Sequence, residues 1–422
     1  METRPDILVF SLNYFPEPTG FAPHVTAFCE NLAASGKKIT VLTGFPFAPR
    51  WERWPDYRGS FRAVEQREGV QIVRNTHFIP RAPRRLVERV LMESSFCTSA
   101  LWAVVRLRLR AKVLIYVGAQ PSIAMLCRVL AALTGARYGV MINDLATGAA
   151  RDVGIVGSAW VTRLLHRFEY SAYRAAAGAV VLCNGFKQAL VAEGYAPEKI
   201  WIVRSPVDTK LIKPAPAGGA NFRLRHGLAP EDFVVLFAGS MGLKQGLENV
   251  IEAAGLLSME DTRIKWVLVG DGERRGIIER KIRSMQLEGC VQLIPFQQEA
   301  EMSGMFSSAD VLLLNQLSAV KDTVIPSKLL TYMAAGQPVI AAVNADSEGA
   351  ELLREAGGGY AISPENPAAL AAAVRDMKRN PERRIEMGRV NRAYAVDNFD
   401  QERIMQQLEE FVRQLSPSTP LV

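Results

Sequence analysis

The stretch "VIPSKLLTYMAAGQPVIA", residues 324–341, reads as a loop that leads into a helix, then a turn and a buried strand. Pro326 suits the start of a helix, and Ser327 predicts a side-chain cap for its free N–H groups. Gly336 ends the helix before the strand begins. Lys328 adds a full charge to the positive end of the helix dipole, so the stretch predicts an anion site. The alternative is that Lys328 is a solvated surface residue.

Apolar runs of the same kind alternate with helical patterns along the chain. The first half contains "DILVFSL", "KITVLTG", "AKVLIYVG", "RYGVMIND" and "GAVVLCN", and the second half contains "FVVLFAG", "IKWVLVGDG", "VQLIPF", "ADVLLLN" and "PVIAAV". Continuous Val/Ile/Leu runs separated by helices indicate parallel strands that are buried on both faces. We therefore predict an α/β protein with two doubly wound parallel-sheet domains that face each other across a cleft.

The predicted domain boundary follows the last strand pattern of the first half. The first domain is expected to cover residues 1–208 and the second residues 209–396. Between them, the Pro/Ala/Gly-rich segment "KPAPAGGANF", residues 213–222, reads as a flexible connection. The last segment, residues 397–422, contains the amphipathic pattern "FDQERIMQQLEEFVRQL". It predicts a helix that packs back across the domain junction.

The composition of the 422-residue chain excludes several classes of protein. Its five cysteines occur singly and its four histidines lack metal-ligand spacing, so we predict neither a disulfide scaffold nor a metal site. No signal peptide is expected before the first buried strand, and no run of about 18 apolar residues predicts a transmembrane helix. A reducing, cytoplasmic location is therefore expected.

Most of the net charge of +7 lies between Arg81 and Lys112, where eight basic and two acidic residues occur. The middle of this stretch is uncharged and contains Phe96 and Trp102. A basic stretch with an apolar, aromatic centre suits an anionic membrane surface, and the alternative is a core helix with solvated ends. No nucleic-acid motif accompanies the charge, so a nucleic acid is not expected as a partner. The candidate membrane or acceptor residues are Arg84, Arg85, Arg89, Trp102, Arg106 and Arg108.

A glycine-containing loop follows the first predicted strand of the second domain. The segment "FAGSMGLKQGLENVIEAA" places Gly239, Gly242 and Gly246 between a strand and a helix. There the backbone can approach a ligand, and the N–H groups of the helix start are free. Lys244 or Gln245 adds a donor. The alternative is a plain turn between a strand and a helix.

The segment "LVGDGE" forms a second strand-end turn, with Gly270, Asp271 and Gly272. This turn is equally compatible with a ligand contact and with a structural role. No GxGxxG fingerprint of a dinucleotide site and no Walker A motif occur.

The motifs "GSMGLKQG", "VGDG" and "PSKLLTYMAAGQPVIA" together resemble the retaining glycosyltransferases of family 4, which have the GT-B fold. In the N-terminal half, "NYFPEPTGFAPHVTAFCENLAASGKKITVLTG" is similar to the family's opening strand, glycine-containing loop, first helix and second strand. The later "CNGFKQALVAEGYAPEKIWIVRSPVD" is similar to the stretch that leads to the interdomain connection. The resemblance covers about Ile7 to Asn398. It implies two Rossmann-like domains, the first binding the acceptor and the second the nucleotide-sugar donor.

The resemblance assigns roles to residues that match the family's motifs. It implies that backbone N–H groups at the start of the "PSK" helix meet a diphosphate, which Lys328 neutralises. Asp144 in "MINDLATG" matches an acidic position that would polarise the acceptor hydroxyl, and the alternative is an Asp that caps the next helix. The implied catalytic residues are Lys328, Asp144 and Lys244. The implied donor-binding residues are Gly239, Ser240, Gly242, Gln245, Gly270, Asp271, Gly272, Pro326, Ser327, Leu329, Thr331, Gly20 and Phe21.

The chain departs from the family's pattern at several of these places. Many members carry two glutamates eight positions apart, one near the sugar and one on the ribose, and these places fall on Thr323 and Thr331. Asp322 lies next to the first of them. The family's basic residue usually stands where Gln245 is, one place after Lys244.

The resemblance implies transfer of a sugar from a nucleoside diphosphate sugar with retention of configuration, and family frequency favours a UDP-sugar. The expected acceptor is a polyprenyl diphosphate-linked oligosaccharide of a bacterial surface polysaccharide, reached by peripheral association with the inner face of the membrane. No metal or other cofactor is expected. Two alternatives remain open: a nucleotide-sugar epimerase of the same fold, and a non-catalytic member of a polysaccharide assembly complex.

Overall fold

The computed structural model describes residues 5–18, 20–82, 85–145, 159–320 and 325–416. The chain divides into two compact units, one formed by Met1–Arg204 with Met405–Val422 and the other by Ser205–Ile404. The division after Arg204 lies close to the boundary expected at residue 208, and the end of the last helix belongs to the first unit. The predicted membrane or acceptor residue Arg84 lies outside the described residues, as do Thr323, at the place of the first family glutamate, and the neighbouring Asp322.

The first unit contains an eight-stranded sheet. Its strands are β1 (Ile7–Phe10), β2 (Ile39–Gly44), β3 (Arg62–Arg67), β4 (Val70–Asn75), β5 (Val113–Gly118), β6 (Arg137–Ile142), β7 (Gly178–Val181) and β8 (Ile200–Ile202). Their order is β3-β4-β2-β1-β5-β6-β7-β8, and every neighbouring pair is parallel except β3 with β4. The described helices of the chain up to β8 are α1 (Ala22–Ala34), α2 (Leu86–Arg106), α3 (Pro121–Thr134), α4 (Ala159–Arg174) and α5 (Asn184–Ala192).

The central strands match the apolar runs in the sequence because both of their faces are covered. Every residue of β1, β2 and β5 is buried. The edge strand β3 differs, since its charged sequence "RAVEQR" leaves alternate residues exposed. A strand of this composition carries no apolar run, which is why the sequence analysis did not predict the β3–β4 hairpin.

The second unit contains a six-stranded sheet in which every neighbouring pair is parallel. Its strands are β9 (Phe233–Ala238), β10 (Ile264–Val269), β11 (Val291–Ile294), β12 (Val311–Asn315), β13 (Val339–Ala342) and β14 (Gly359–Ile362), in the order β11-β10-β9-β12-β13-β14. The helices are α6 (Pro216–Arg225), α7 (Leu247–Ser258), α8 (Arg275–Ser284), α9 (Met302–Ser307), α10 (Ser327–Ala334), α11 (Glu348–Ala356), α12 (Pro367–Arg379) and α13 (Pro381–Phe399), and α14 (Gln401–Leu415) follows.

The prediction of a flexible connection at residues 213–222 is wrong, because most of this segment belongs to helix α6. Pro216 starts the helix, where its missing N–H group is not needed. A Cβ atom on Gly218 would lie 2.9 Å from the Cα atom of Gly304, and one on Gly219 would lie 2.6 Å from the carbonyl oxygen of Ser307. The glycines therefore allow close packing of α6 against α9 and do not signal a loop.

The last helix, α14, contributes apolar side chains to the first unit. A Cβ atom on Gly139 in β6 would lie 2.4 Å from Cδ1 of Leu415, and one on Gly178 in β7 would lie 2.9 Å from Cε2 of Phe411. Glycine at these two strand positions therefore makes room for the helix. In the part of the chain that the structure describes, no helix is long and apolar enough to cross a membrane.

Candidate active site

The site lies at the topological switch point of the second sheet, where the strand order reverses. The chain builds from β9 through β10 to β11, and then places β12 on the other side of β9. In open parallel sheets, ligands bind at such a switch point, beyond the carboxyl ends of the strands. The loop after β9 and the start of α10 both lie at this edge, because Lys328 of α10 reaches Gln245 of the loop.

Lys328 is the central residue of this site. Its Nζ atom lies 4.1 Å from the centre of the Phe237 ring and donates a hydrogen bond to Oε1 of Gln245 at 3.2 Å. Burial lowers the pKa of Lys328 to about 8. None of the described carboxylates lies within ion-pair distance of this ammonium. A cation that is partly buried without an acidic partner is expected to bind an anionic ligand.

Gly239 is the residue that allows Lys328 to take this position. A Cβ atom on Gly239 would lie 2.3 Å from Cε and 2.7 Å from Nζ of Lys328. The φ angle of +137° at this glycine is also one that other residues rarely adopt. The glycines of this loop predict a close approach between the backbone and a ligand, and in the structure the Gly239 backbone closely approaches the Lys328 side chain.

The second glycine turn supports the first. The Met241 amide donates to the carbonyl of Asp271 at 2.8 Å. A Cβ atom on Gly270 would lie 1.9 Å from the Gly239 carbonyl oxygen, and one on Gly272 would lie 2.7 Å from that of Met241. Both glycines thus have a structural role in joining the two loops. Asp271 is exposed, and its Oδ1 atom accepts from the Gly272 amide at 2.8 Å.

Two buried polar residues that the sequence analysis missed also support the site. The Asn315 amide, at the end of β12, donates to the carbonyls of Gln245 at 2.7 Å and Gly246 at 3.0 Å. The Tyr332 hydroxyl accepts from the Ala238 amide at 2.9 Å and donates to the Ala238 carbonyl at 3.1 Å. Tyr332 lies one helical turn after the lysine. An Asn directly after a buried run, and a Tyr four residues after a site lysine, were the available signals.

The start of α10 differs in detail from the prediction. Pro326 occupies the N-cap position, and no described side chain caps this end. Ser327 is the first helical residue and does not cap the helix, so that part of the prediction is wrong. The Leu329 amide donates to the Pro326 carbonyl at 2.9 Å, so it is used within the first turn. The Thr331 hydroxyl donates to the Ser327 carbonyl at 3.1 Å.

The loop after β9 places its polar side chains differently. Gln245 faces Lys328, whereas Lys244 is exposed and its carbonyl accepts from the Leu317 amide at 3.0 Å. Ser240 is exposed, and a Cβ atom on Gly242 would lie 3.8 Å from the Ser240 hydroxyl oxygen. The structure therefore brings Gln245 to the lysine and leaves Lys244 apart from it.

Asp144 and two of the implied donor-binding residues, Gly20 and Phe21, belong to the first unit. Asp144 follows β6, and its Oδ1 atom accepts from the Leu145 amide at 2.8 Å. Gly20 adopts a φ angle of +66°, and the half-exposed Phe21 precedes α1. In the same loop, the sequence analysis missed the buried Glu17. Its Oε1 atom accepts from the amides of Phe47 and Ala48, both at 2.8 Å, and its Oε2 from the side chain of Asn13 at 2.7 Å.

The predicted membrane residues lie on and beside α2. Its exposed face carries Val87, Val90, Leu91, Leu101, Trp102 and Val105. Trp102 is held by the Arg62 guanidinium, 3.9 Å from the ring centre, and by an edge contact with Phe61. Arg85, Arg106 and Arg108 are exposed at the two ends of the helix, and Arg89 lies between them. The helix is therefore neither entirely a core helix nor uniformly polar on its outer face.

Two family models account for most of the chain, one in each unit. A glycosyl transferase 4-like domain matches residues 19–205, and a glycosyl transferases group 1 model matches residues 220–394. The chain therefore belongs to the group 1 glycosyltransferases with a family 4-like N-terminal domain, and it is a glycosyltransferase. The predicted fold class, two parallel-sheet α/β domains of the GT-B type, is confirmed by its structural neighbours.

The relatives include glycosyltransferases named for colanic acid and amylovoran biosynthesis. The chain is 28% identical over 414 residues to the putative colanic acid biosynthesis glycosyl transferase WcaI of Escherichia coli K12, covering 96% of this chain and 99% of WcaI. It is 26% identical to the amylovoran biosynthesis glycosyltransferase AmsK of Erwinia amylovora, covering 54% of each chain.

Solved structures share the fold at low identity. Sucrose-phosphate synthase of Thermosynechococcus elongatus superimposes with a TM-score of 0.72 at 18% identity, covering 98% of this chain and 99% of the synthase. HepE of Anabaena in complex with UDP superimposes with a TM-score of 0.70 at 15% identity, covering 97% and 100%.

Proposed function

We propose that this glycosyltransferase transfers a sugar from a UDP-sugar to a polyprenyl diphosphate-linked saccharide, with retention of configuration, during synthesis of a cell-surface polysaccharide. The observation that carries the donor part of the proposal is Lys328. Its ammonium is partly desolvated, lacks a described acidic partner and lies at a helix start beside a glycine loop. A diphosphate supplies the two negative charges that such a position favours.

The proposed chemistry assigns Lys328 to the leaving group. The bond between the anomeric carbon and the diphosphate oxygen breaks, and the acceptor hydroxyl oxygen forms a new bond to that carbon. The hydroxyl proton passes to the departing phosphate oxygen. Lys328 stabilises the charge that develops on the diphosphate, which is the part of the reaction where a preorganised cation is most effective. Lys244 would add charge at the loop, and Asp144 would polarise the acceptor hydroxyl.

Two kinds of likeness support the choice of substrates. The names of WcaI and AmsK connect those relatives to colanic acid and amylovoran. HepE has been crystallised with UDP and with UDP-glucose. We extend both properties to this chain as part of the proposal. Among the described residues, no group of three His, Cys, Asp or Glu side chains could hold a metal ion, and we propose that the reaction needs none.

The exposed face of α2 supports a lipid-linked acceptor. Apolar side chains including Trp102 and Val105, exposed by 51% and 68%, occupy the outer face of a helix with arginines at its ends. Such a helix lies well in the interface of an anionic membrane, where tryptophan is favoured. We propose that the enzyme associates peripherally with the cytoplasmic face of the membrane through this surface.

A donor panel with and without acceptor tests the proposal. Purified enzyme is mixed with radiolabelled UDP-, GDP- and ADP-sugars, in EDTA, with or without polyprenyl diphosphate saccharides, and the product anomer is read by NMR coupling constants. We expect transfer into the lipid fraction from a UDP-sugar, with the donor's anomeric configuration kept. Conversion of the donor without acceptor would instead indicate an epimerase. Absence of both binding and turnover with every donor would favour a non-catalytic protein.

A further inference from the structure

A groove with a volume of about 1140 Å³ crosses one end of the first unit. Its walls are the end of α2 with the following turn, the end of α3, part of β3, and the first residues of β2 and β4. Because β2 and β4 are parallel and both begin here, the groove lies at the amino edge of the sheet. Its volume is above the range of about 300–1,000 Å³ that is usual for small-molecule sites.

The charge of the groove has one sign. Four of its lining residues are cationic, namely Lys37, Lys38, Arg108 and Arg110, and none of its lining residues is acidic. All four cations are exposed, and none forms an ion pair with a carboxylate in the described part of the chain. The cations are therefore available to an anionic ligand from outside the protein.

The rest of the groove is largely apolar, and it is open to solvent. Val64, Leu101, Val105 and Leu133 line it with exposures of 52%, 42%, 68% and 77%. Large apolar side chains grouped at a surface mark a contact with a protein, a membrane or an apolar ligand. Two of them, Leu101 and Val105, also belong to the exposed face of α2, so the groove and that face form one continuous surface.

The groove is separate from the predicted site residues of the first unit. Phe21 and Asp144 belong to loops that follow the carboxyl ends of β1 and β6, whereas the groove lies at the amino edge. A strand of six residues spans about 20 Å. A ligand in the groove therefore cannot be the saccharide that receives the sugar at the carboxyl edge.

We propose that this groove binds an anionic phospholipid of the bilayer, with the phosphate on the cations and an acyl chain on the apolar wall. Four cations without an ion-pair partner among the described residues, together with exposed aliphatic side chains, match that amphiphile. An apolar chain or a phosphate alone would use only half of the surface. The inference extends the proposed membrane contact and rests on it for its biological setting. It adds a specific lipid site, with residues that the sequence analysis did not select apart from Arg108.

Vesicle co-sedimentation of the full chain tests the site. The double variant Lys38→Gln/Arg110→Gln removes two groove cations, and Arg50→Gln/Lys199→Gln removes two exposed cations of the same unit outside the groove. On phosphatidylglycerol vesicles, we expect the groove variant to partition about 30-fold more weakly than the wild type, from about fivefold per cation. The control variant should lose about twofold or less, and Leu133→Gln should weaken binding without changing the net charge.

The remaining arms separate the possible failures. Equal losses for the groove variant and the control would show that net charge alone drives binding, and would overturn the proposal. Binding to neutral vesicles that is restored by polyprenyl phosphate, but not by phosphatidylglycerol, would also overturn it by assigning the groove to the acceptor lipid. UDP-induced thermal shifts of the same variants report on the donor site. If the groove variant binds vesicles as well as the wild type while UDP still raises its melting temperature, only this inference is refuted. If the groove variant loses vesicle binding as expected while UDP does not raise the melting temperature, only the proposed function is refuted.

Discussion

Replacing Lys328 by methionine should make the protein more stable and, at the same time, far slower in transfer. The pKa of Lys328 falls from 10.5 to about 8 because burial removes water from the ammonium. A tenfold change in acid dissociation corresponds to about 1.4 kcal/mol, so keeping the charge in place costs on the order of 3 kcal/mol at neutral pH. The contact with Phe237 and the bond to Gln245 offset about 1–2 kcal/mol of this. Methionine fills the same space without the charge.

The net gain in the free energy of unfolding is therefore about 1–2 kcal/mol at pH 7, or about 2–4 °C in Tm for each kcal/mol in a domain of this size. The folded-state pKa lies below the unfolded one, so between pH 8 and 10.5 the unfolded chain binds more protons. The stability of the wild type consequently rises with pH across this window relative to that of the variant. The wild type gains on the order of 3 kcal/mol across this window, so the advantage of Lys328→Met should be complete below pH 8 and should be lost before the pH reaches 10.5.

Function should change in the opposite direction. Loss of one charge-assisted contact to the diphosphate weakens UDP binding by about 1.5–3 kcal/mol, and loss of one donor to the developing charge slows transfer by about 10²–10³-fold. Thermal melts from pH 6 to 10.5, UDP titration calorimetry and transfer rates measure the three effects. Lys213→Met, at an exposed lysine of the same unit, serves as the control. A variant that melts below the wild type at pH 7, or that transfers at the normal rate, would refute the reasoning.

Three further predictions concern the surroundings of Lys328. Gly239→Ala should weaken UDP binding at least tenfold because its Cβ atom would lie 2.3 Å from Cε of Lys328, whereas Gly227→Ala, at φ +66° with open space around it, controls for backbone strain in the same calorimetric titration. UDP affinity of the wild type should change little between about pH 7 and 8, where the terminal phosphate of UDP is already ionised. It should fall as the pH rises above 8, with proton uptake on binding, because the free ammonium deprotonates there. Asn315→Ala should lower the free energy of unfolding by about 1–3 kcal/mol in urea, since it leaves the buried carbonyls of Gln245 and Gly246 without their donor; an unchanged urea midpoint would contradict this.

The strand pattern could be predicted from the sequence because burial on both faces produces continuous apolar runs. The strand of Ile7–Phe10 and the one of Val311–Asn315 are buried throughout, and both were expected. The hairpin strand Arg62–Arg67 was not, since an edge strand needs only one covered face. The apolar runs alone do not give the order of the strands within each sheet. That order can be predicted only from the topology of the family that the chain resembles.

Glycines were the least reliable signal in the sequence, because a glycine can form a turn, allow two backbones to pack closely or leave room for a ligand. At 213–222 glycine indicated a loop, yet Gly218 and Gly219 make room for a neighbouring helix. At Gly270 and Gly272 glycine was equally compatible with a ligand contact and with a structural role, and the structure shows that these glycines allow two loops to pack together. In each case the glycine is required by contact with a residue that is distant in sequence, so the local sequence pattern does not reveal the requirement.

The position of Lys328 shows why part of the site was accessible to sequence reasoning and part was not. A cation after Pro-Ser at a helix start is a local feature, and it was recognised. That cation is available to bind an anion because it has no described acidic partner. The ring of Phe237, the amide oxygen of Gln245 and the space left by the missing side chain of Gly239 surround it. These groups come from a strand and a loop about 90 residues earlier in the chain. Each of them keeps water or a rival charge away from the ammonium, so the lysine stays available for a diphosphate that carries its own charge into the site.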